Sequence, residues 1–152
     1  MKQHEFDELR GQLEPIRPIL QALAHHHGLI ADRSVGRYPR LRYDGESVDG
    51  VRIGIDFWMS FDEAGQYRRS CTDETPYELA GVASVTRLEA DGLYRYSLVR
   101  TAYAARPYKE TLKTLREDAD RLLDELKSTT RSEVLARGRR TRLPNGNLAD
   151  EQ

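Results

Sequence analysis

Residues 51–61 constrain this chain more than any other segment. Val51, Ile53, Ile55, Phe57, Met59 and Phe61 alternate with Arg52, Gly54, Asp56, Trp58 and Ser60. Successive side chains of a strand point to opposite faces, so the pattern demands a strand with one packed and one largely open face. Something must cover the packed face, and the flanking segments supply it. Phe6, Leu9, Leu13, Ile16, Leu20, Leu23 and His27 recur at spacings of 3 and 4, one helical stripe held in phase over residues 5–27. Pro15 and Pro18 lie off that stripe, so the helix is expected to kink and keep its buried side. Two short helices in the same phase satisfy the pattern equally. Gly28 supplies the stop.

From Pro107 a second helix is expected, with Tyr108, Leu112, Leu115, Ala119, Leu122 and Leu126 along its apolar stripe. Arg116 with Asp120 and Arg121 with Glu125 are oppositely charged pairs four apart. A short turn over 132–137 follows, stopped by Gly138. Between the helices, a strand is expected near 38–43, with Pro39 confining it to a sheet edge or a strand start. Asp62-Glu63-Ala64-Gly65-Gln66 reads as a three-residue hairpin loop, pairing Phe61 with Tyr67, Met59 with Arg69 and Phe57 with Cys71. Glu89-Ala90-Asp91-Gly92-Leu93 reads as the same device, pairing Leu88 with Tyr94, Thr86 with Tyr96 and Ser84 with Leu98. A two-residue Asp91-Gly92 turn would mix apolar and charged side chains on each face. The expected fold is α+β: a kinked N-terminal helix, an antiparallel meander of four to five strands and a long C-terminal helix. These form one domain over 1–137, followed by a flexible basic and polar tail over 138–152.

Composition narrows the function classes. At 152 residues the chain matches one domain, and its net charge of −1 gives no global attraction to nucleic acid or anionic membrane. The polar start, the single cysteine and the lack of a long apolar run point to a cytoplasmic protein with no membrane partner. His25-His26-His27 fan around a helix axis and cannot converge on one ion, so structural roles are expected of them. Cys71 falls on the packed face with no histidine paired to it, and is read as a small buried residue. No nucleophile elbow, phosphate-binding glycine loop or metal-ligand spacing is present, so no cofactor, metal or catalytic residue is assigned.

Two surfaces remain. Parity places Arg52, Asp56, Trp58 and Ser60 on the open sheet face, joined by Arg68 and Ser70, then by Arg87, Arg95 and Ser97. The one tryptophan among arginines has the composition of a binding hot spot or a stacking platform. The alternative is that the second helix covers this face, with Trp58 inside a second core layer. Residues 131–142 carry Arg131, Arg137, Arg139, Arg140 and Arg142 against Glu133 alone, a local charge of +4. The architecture is shared by many small bacterial accessory, adaptor and immunity proteins, which is a fold-level analogy. The expected function is therefore non-catalytic binding of a protein partner through the Trp58 and arginine face. Nucleic-acid association through that face and the tail is the second reading. A small enzyme or ligand binder with a pocket between sheet and helix, offering Tyr67, Arg69, Tyr94 and Tyr96, is the third. An uncovered sheet edge or helix stripe leaves room for a homodimer.

Overall fold

The computed structural model describes residues 2–32, 39–60 and 71–144. In place of one kinked helix, the N-terminal stripe folds as two: α1 (Gln3–Leu13) and α2 (Arg17–His26). The break falls at Pro15, and Pro18 sits in the first turn of α2, where its missing N–H is tolerated. Leu9, Leu13, Ile16, Leu20 and Leu23 stay buried across it, so the stripe passes through the break in phase. Gly28, with φ +84°, turns the chain into a strand that the sequence pattern did not announce, β1 (Leu29–Asp32). β2 (Arg40–Gly45) begins right after Pro39, and β3 (Arg52–Met59) carries the alternating run.

Two long strands follow, β4 (Pro76–Glu89) and β5 (Gly92–Pro107), then α3 (Tyr108–Lys127), the short α4 (Arg131–Arg137) and β6 (Arg139–Arg142). The sheet is an antiparallel meander in the order β1-β2-β3-β4-β5-β6. The partner of β3 is β4, with Met59 opposite Tyr77 and Phe57 opposite Leu79. The expected pairing of Met59 with Arg69 and Phe57 with Cys71 is thereby overturned: β3 spends its ladder on residues 77–84. The 62–66 loop, Phe61, Tyr67 and Tyr38 lie outside the described residues.

The helices share one face of the sheet. α3 lies across β4 and β5, α2 packs on α3 and β1, α1 on β2, and α4 on β4 and β5. Their buried side chains meet Leu41, Tyr43, Ile55, Phe57, Met59, Tyr77, Leu79, Ala83 and Val85 in one core. Phe57 and Tyr77 stack at 5.1 Å across the β3–β4 ladder. Gln12 links three elements, accepting from Tyr77 Oη at its side chain (2.6 Å) and from Tyr108 Oη at its carbonyl (2.7 Å). The stripe of α3 differs in one place from expectation: Leu112 is 41% exposed, and Thr111 is buried instead. Its charges also pair differently: Asp120 meets His27 just past α2, and Arg121 pairs with Asp118 one turn back, which also holds Arg106 of β5.

Candidate functional site

Among the described residues no helix lies on the opposite face of the sheet. Cross-strand neighbours share a face, so the ladder spells out its surface row by row. At one end, Trp58 stands between Arg40 and Glu78. The next row is Arg42, Asp56, Ala80 and Thr101, followed by Asp44, Gly54, Val82 and Val99. Beyond these come Arg52, Ser84, Ser97 and Arg139, then Thr86, Arg95 and Thr141. Arg42, Arg52, Asp56, Trp58, Ser84, Arg95 and Ser97 are half-buried, and Val99 is 64% exposed.

The two ends differ electrostatically. Near Trp58 the charges are matched: Asp56 Oδ2 lies 3.3 Å from Arg40 Nη1 and 3.7 Å from Arg42 Nη1. Arg42 Nε donates to Asp44 Oδ1 at 3.4 Å. Burial pushes the Asp56 carboxyl up to about 6, more than Arg40 and Arg42 hold it down, and Asp44 adds to the rise. Gly54 makes room for this cluster, since a Cβ there would stand 2.5 Å from Asp44 Oδ1. At the far end, Arg52, Arg95 and Arg139 form no ion pair with any described residue, and Ser84 and Ser97 lie between them. Arg42, Arg52, Arg95, Ser84 and Ser97 surround a depression of about 260 Å³. A smaller one, about 160 Å³, runs over Ala80, Val82 and Val99 to Trp58.

The structure thus brings Arg52, Asp56, Trp58 and Arg95 to one surface. Arg87 is not among them. The β4–β5 hairpin closes on the two residues Ala90 and Asp91, with Glu89 opposite Gly92, so Arg87 faces Tyr94 rather than Arg95. Both registers weighed from sequence are off by one or two residues. The register does mix charged and apolar side chains on one face, and the mixture is stabilising. Tyr96 Oη donates to Glu89 at 2.6 Å, Arg87 donates to the same carboxylate at 3.3 Å, and Tyr94 Oη donates to Asp91 at 2.6 Å. The Arg140 guanidinium stacks 3.6 Å above the Tyr94 ring and donates to Glu89 at 2.7 Å. Tyr94 and Tyr96 are therefore committed to this cluster, and Arg68, Arg69 and Ser70 lie outside the described residues.

The basic segment is also not loose where it is described. Residues 139–142 are paired as β6 against β5, and 145–152 lie outside the described residues. Arg137 pairs with Glu133, Arg140 with Glu89, and Arg142 donates to the Asp91 carbonyl at 2.6 Å. Of the four arginines expected to form a binding arm, Arg139 and Arg142 form no ion pair with a described residue, and Arg139 is the one of the two on the helix-free face. Arg40, Arg42 and Asp44 belong to the site and were missed, although Arg40-Leu41-Arg42-Tyr43-Asp44 alternates as cleanly as β3. The His27 side chain is buried, with Nε2 2.7 Å from Asp120 Oδ1. The Cys71 thiol is pushed up to about 11 by burial and the nearby Glu8 carboxylate, which keeps it protonated at neutral pH.

Fold and site together define an α+β protein with helices on one face of a six-stranded meander and a polar, arginine-bearing surface on the other. No family model matches the chain, and no curated protein or solved structure is significantly similar to it. Among the described residues no helix is long and apolar enough to cross a membrane.

Proposed function

We propose that this is a non-catalytic binding protein that engages a segment of a protein partner along the helix-free face of its sheet. The observation that carries the reading is the separation of the face into a charge-matched end holding Trp58 and an end where Arg52, Arg95 and Arg139 have no ionic partner among the described residues. Six residues along a strand separate Trp58 from Arg52, about 20 Å. A segment with an apolar or aromatic anchor at one end and carboxylates at the other matches both ends at once, with Val82 and Val99 between. A single-stranded nucleic acid is the poorer fit, because such platforms interleave aromatic rings with cations. Here the ring stands between Glu78 and Arg40, the arginine is already paired with Asp56, and the cations without an ionic partner among the described residues lie at the other end of the face.

The test is a displayed peptide library selected against the full chain, with binding of the enriched sequences measured by fluorescence anisotropy. Enriched peptides are expected to carry acidic residues several positions from an aromatic or aliphatic anchor. Trp58→Ala and the double variant Arg52→Ala/Arg95→Ala should each weaken them by about tenfold or more. Tighter, salt-sensitive binding of a twelve-nucleotide oligothymidine, lost in the arginine double variant, would replace this reading with the nucleic-acid one. Enriched peptides indifferent to both variants would remove the face from consideration.

A further inference from the structure

A cavity of about 730 Å³ lies away from that face, between the ends of α2 and α3, the start of α4 and the turn that leads into β3. Its size is in the range of small-molecule sites. Leu29, Val51 and Leu126 are buried in its wall, whereas Ile30 and Val48 at its lip are 73% and 72% exposed. Large aliphatic side chains that open to water, continuous with a buried apolar wall, are surface that a ligand would cover. The end of α3 does not make the wall polar. Of its last carbonyls, Asp124 accepts from the Ser128 amide, Glu125 from the Ser128 and Thr129 hydroxyls at 2.9 and 3.0 Å, and Leu126 from the Thr129 amide.

One cation is built into the rim. Asp49 and Gly50 have φ of 54° and 77°, a type I′ turn closed by the Val48–Val51 bridge. Without a side chain at Gly50, Arg131 comes down on the turn: its Nη1 lies 2.6 Å from where a Cβ would sit. Arg131 forms no ion pair with a described residue, although Glu133, two positions on, pairs with both Arg100 and Arg137. Lys127 lines the same side, and Glu46 and Asp49 line the side of the turn. The rim thus offers two cations to an anionic group, Arg131 set over the turn and Lys127 at the end of α3.

We propose that this cavity binds a small amphiphile, its apolar body covering Ile30 and Val48 and its anionic head meeting Arg131 and Lys127. The site is independent of the helix-free face, so either can fail alone.

Dodecanoate below its micellar concentration is the probe, followed by calorimetry, by thermal shift and by methyl NMR of Ile30, Val48, Val51 and Ile53. Dodecanoate should raise the melting temperature and shift these methyls. Ile30→Glu should weaken it by about tenfold, since a charge replaces apolar contact. Arg131→Gln should weaken it by about fivefold while leaving dodecanol unaffected. Both substitutions are at exposed positions, and unchanged circular dichroism would confirm folding. Arg52→Ala/Arg95→Ala should leave dodecanoate binding intact. The proposal falls if dodecanoate does not bind, if Ile30→Glu leaves its affinity unchanged, or if dodecyltrimethylammonium binds as tightly.

Discussion

A methyl group on Gly81 would collide with Leu126 Cδ1 and come within 3.2 Å of the Gly54 carbonyl. The missing side chain is what lets α3 settle onto β4, because Leu126 fills the space above the glycine with none of its own surface exposed. Gly81→Ala should therefore destabilise the fold by about 1–3 kcal/mol through overpacking. Leu126→Ala should cost about 2–5 kcal/mol through the cavity it leaves. Since one change vacates the volume that the other needs, the double variant should lose less than the sum, by about 0.5–3 kcal/mol. Urea unfolding of the four proteins completes the cycle; additive losses would show that α3 rests on β4 elsewhere.

At the scale of elements, β6 is the informative case. Its four residues are all exposed, and nothing apolar holds them. The strand is fixed by the ladder to β5, by Arg140 stacked on Tyr94 and paired with Glu89, and by Arg142 on the Asp91 carbonyl. Leu143 then buries itself beside the hairpin, its amide donating to the Leu93 carbonyl at 2.8 Å. Ending the chain after Gly138 should expose the β5 edge. Amide hydrogen exchange should speed up over 94–97 and along the Glu89–Gly92 turn, while β2 and β3 keep their protection. Unchanged exchange at Tyr94 and Tyr96 would mean that β5 carries its own order.

For the whole molecule, the cluster on the helix-free face links stability to pH. The folded value of Asp56, about 6, lies above its ordinary 3.8. A raised acid favours folding while it is protonated: the contribution is complete below about pH 4 and is lost as pH rises through 6. Glu89 and Asp91 act in the opposite sense, held low in the folded chain chiefly by hydrogen bonds from Tyr96 and Tyr94. Their contribution is present above the ordinary carboxylate range and lost as pH falls. Asp56→Asn isolates the first effect. The melting temperature of the wild type relative to this variant should be highest near pH 4 and decline towards pH 7. A difference that stays flat over that interval would show that the carboxyl ionises normally.

What local pattern determined was which side of β3 and of the helices is buried. The period of two in β3 and the 3-and-4 spacings before α2 and along α3 depend only on backbone geometry, so they survive whatever the elements pack against. The Val48-Asp49-Gly50-Val51 turn went unread, although positive φ at both central residues is a local demand that Asp-Gly meets. Pairing was not legible. Which strand lies beside β3, and where the β4–β5 hairpin closes, depend on contacts between residues distant in sequence. Arg140 on Tyr94 rewards a register that apolar parity alone rejects, and this moved Arg87 to the helix side and left Arg95 on the other. Arg139–Arg142 has no periodicity to read, since its partner is the backbone edge of β5. The tertiary structure alone decided which arginines meet a carboxylate and which do not, because matching of charge is a property of neighbours in space.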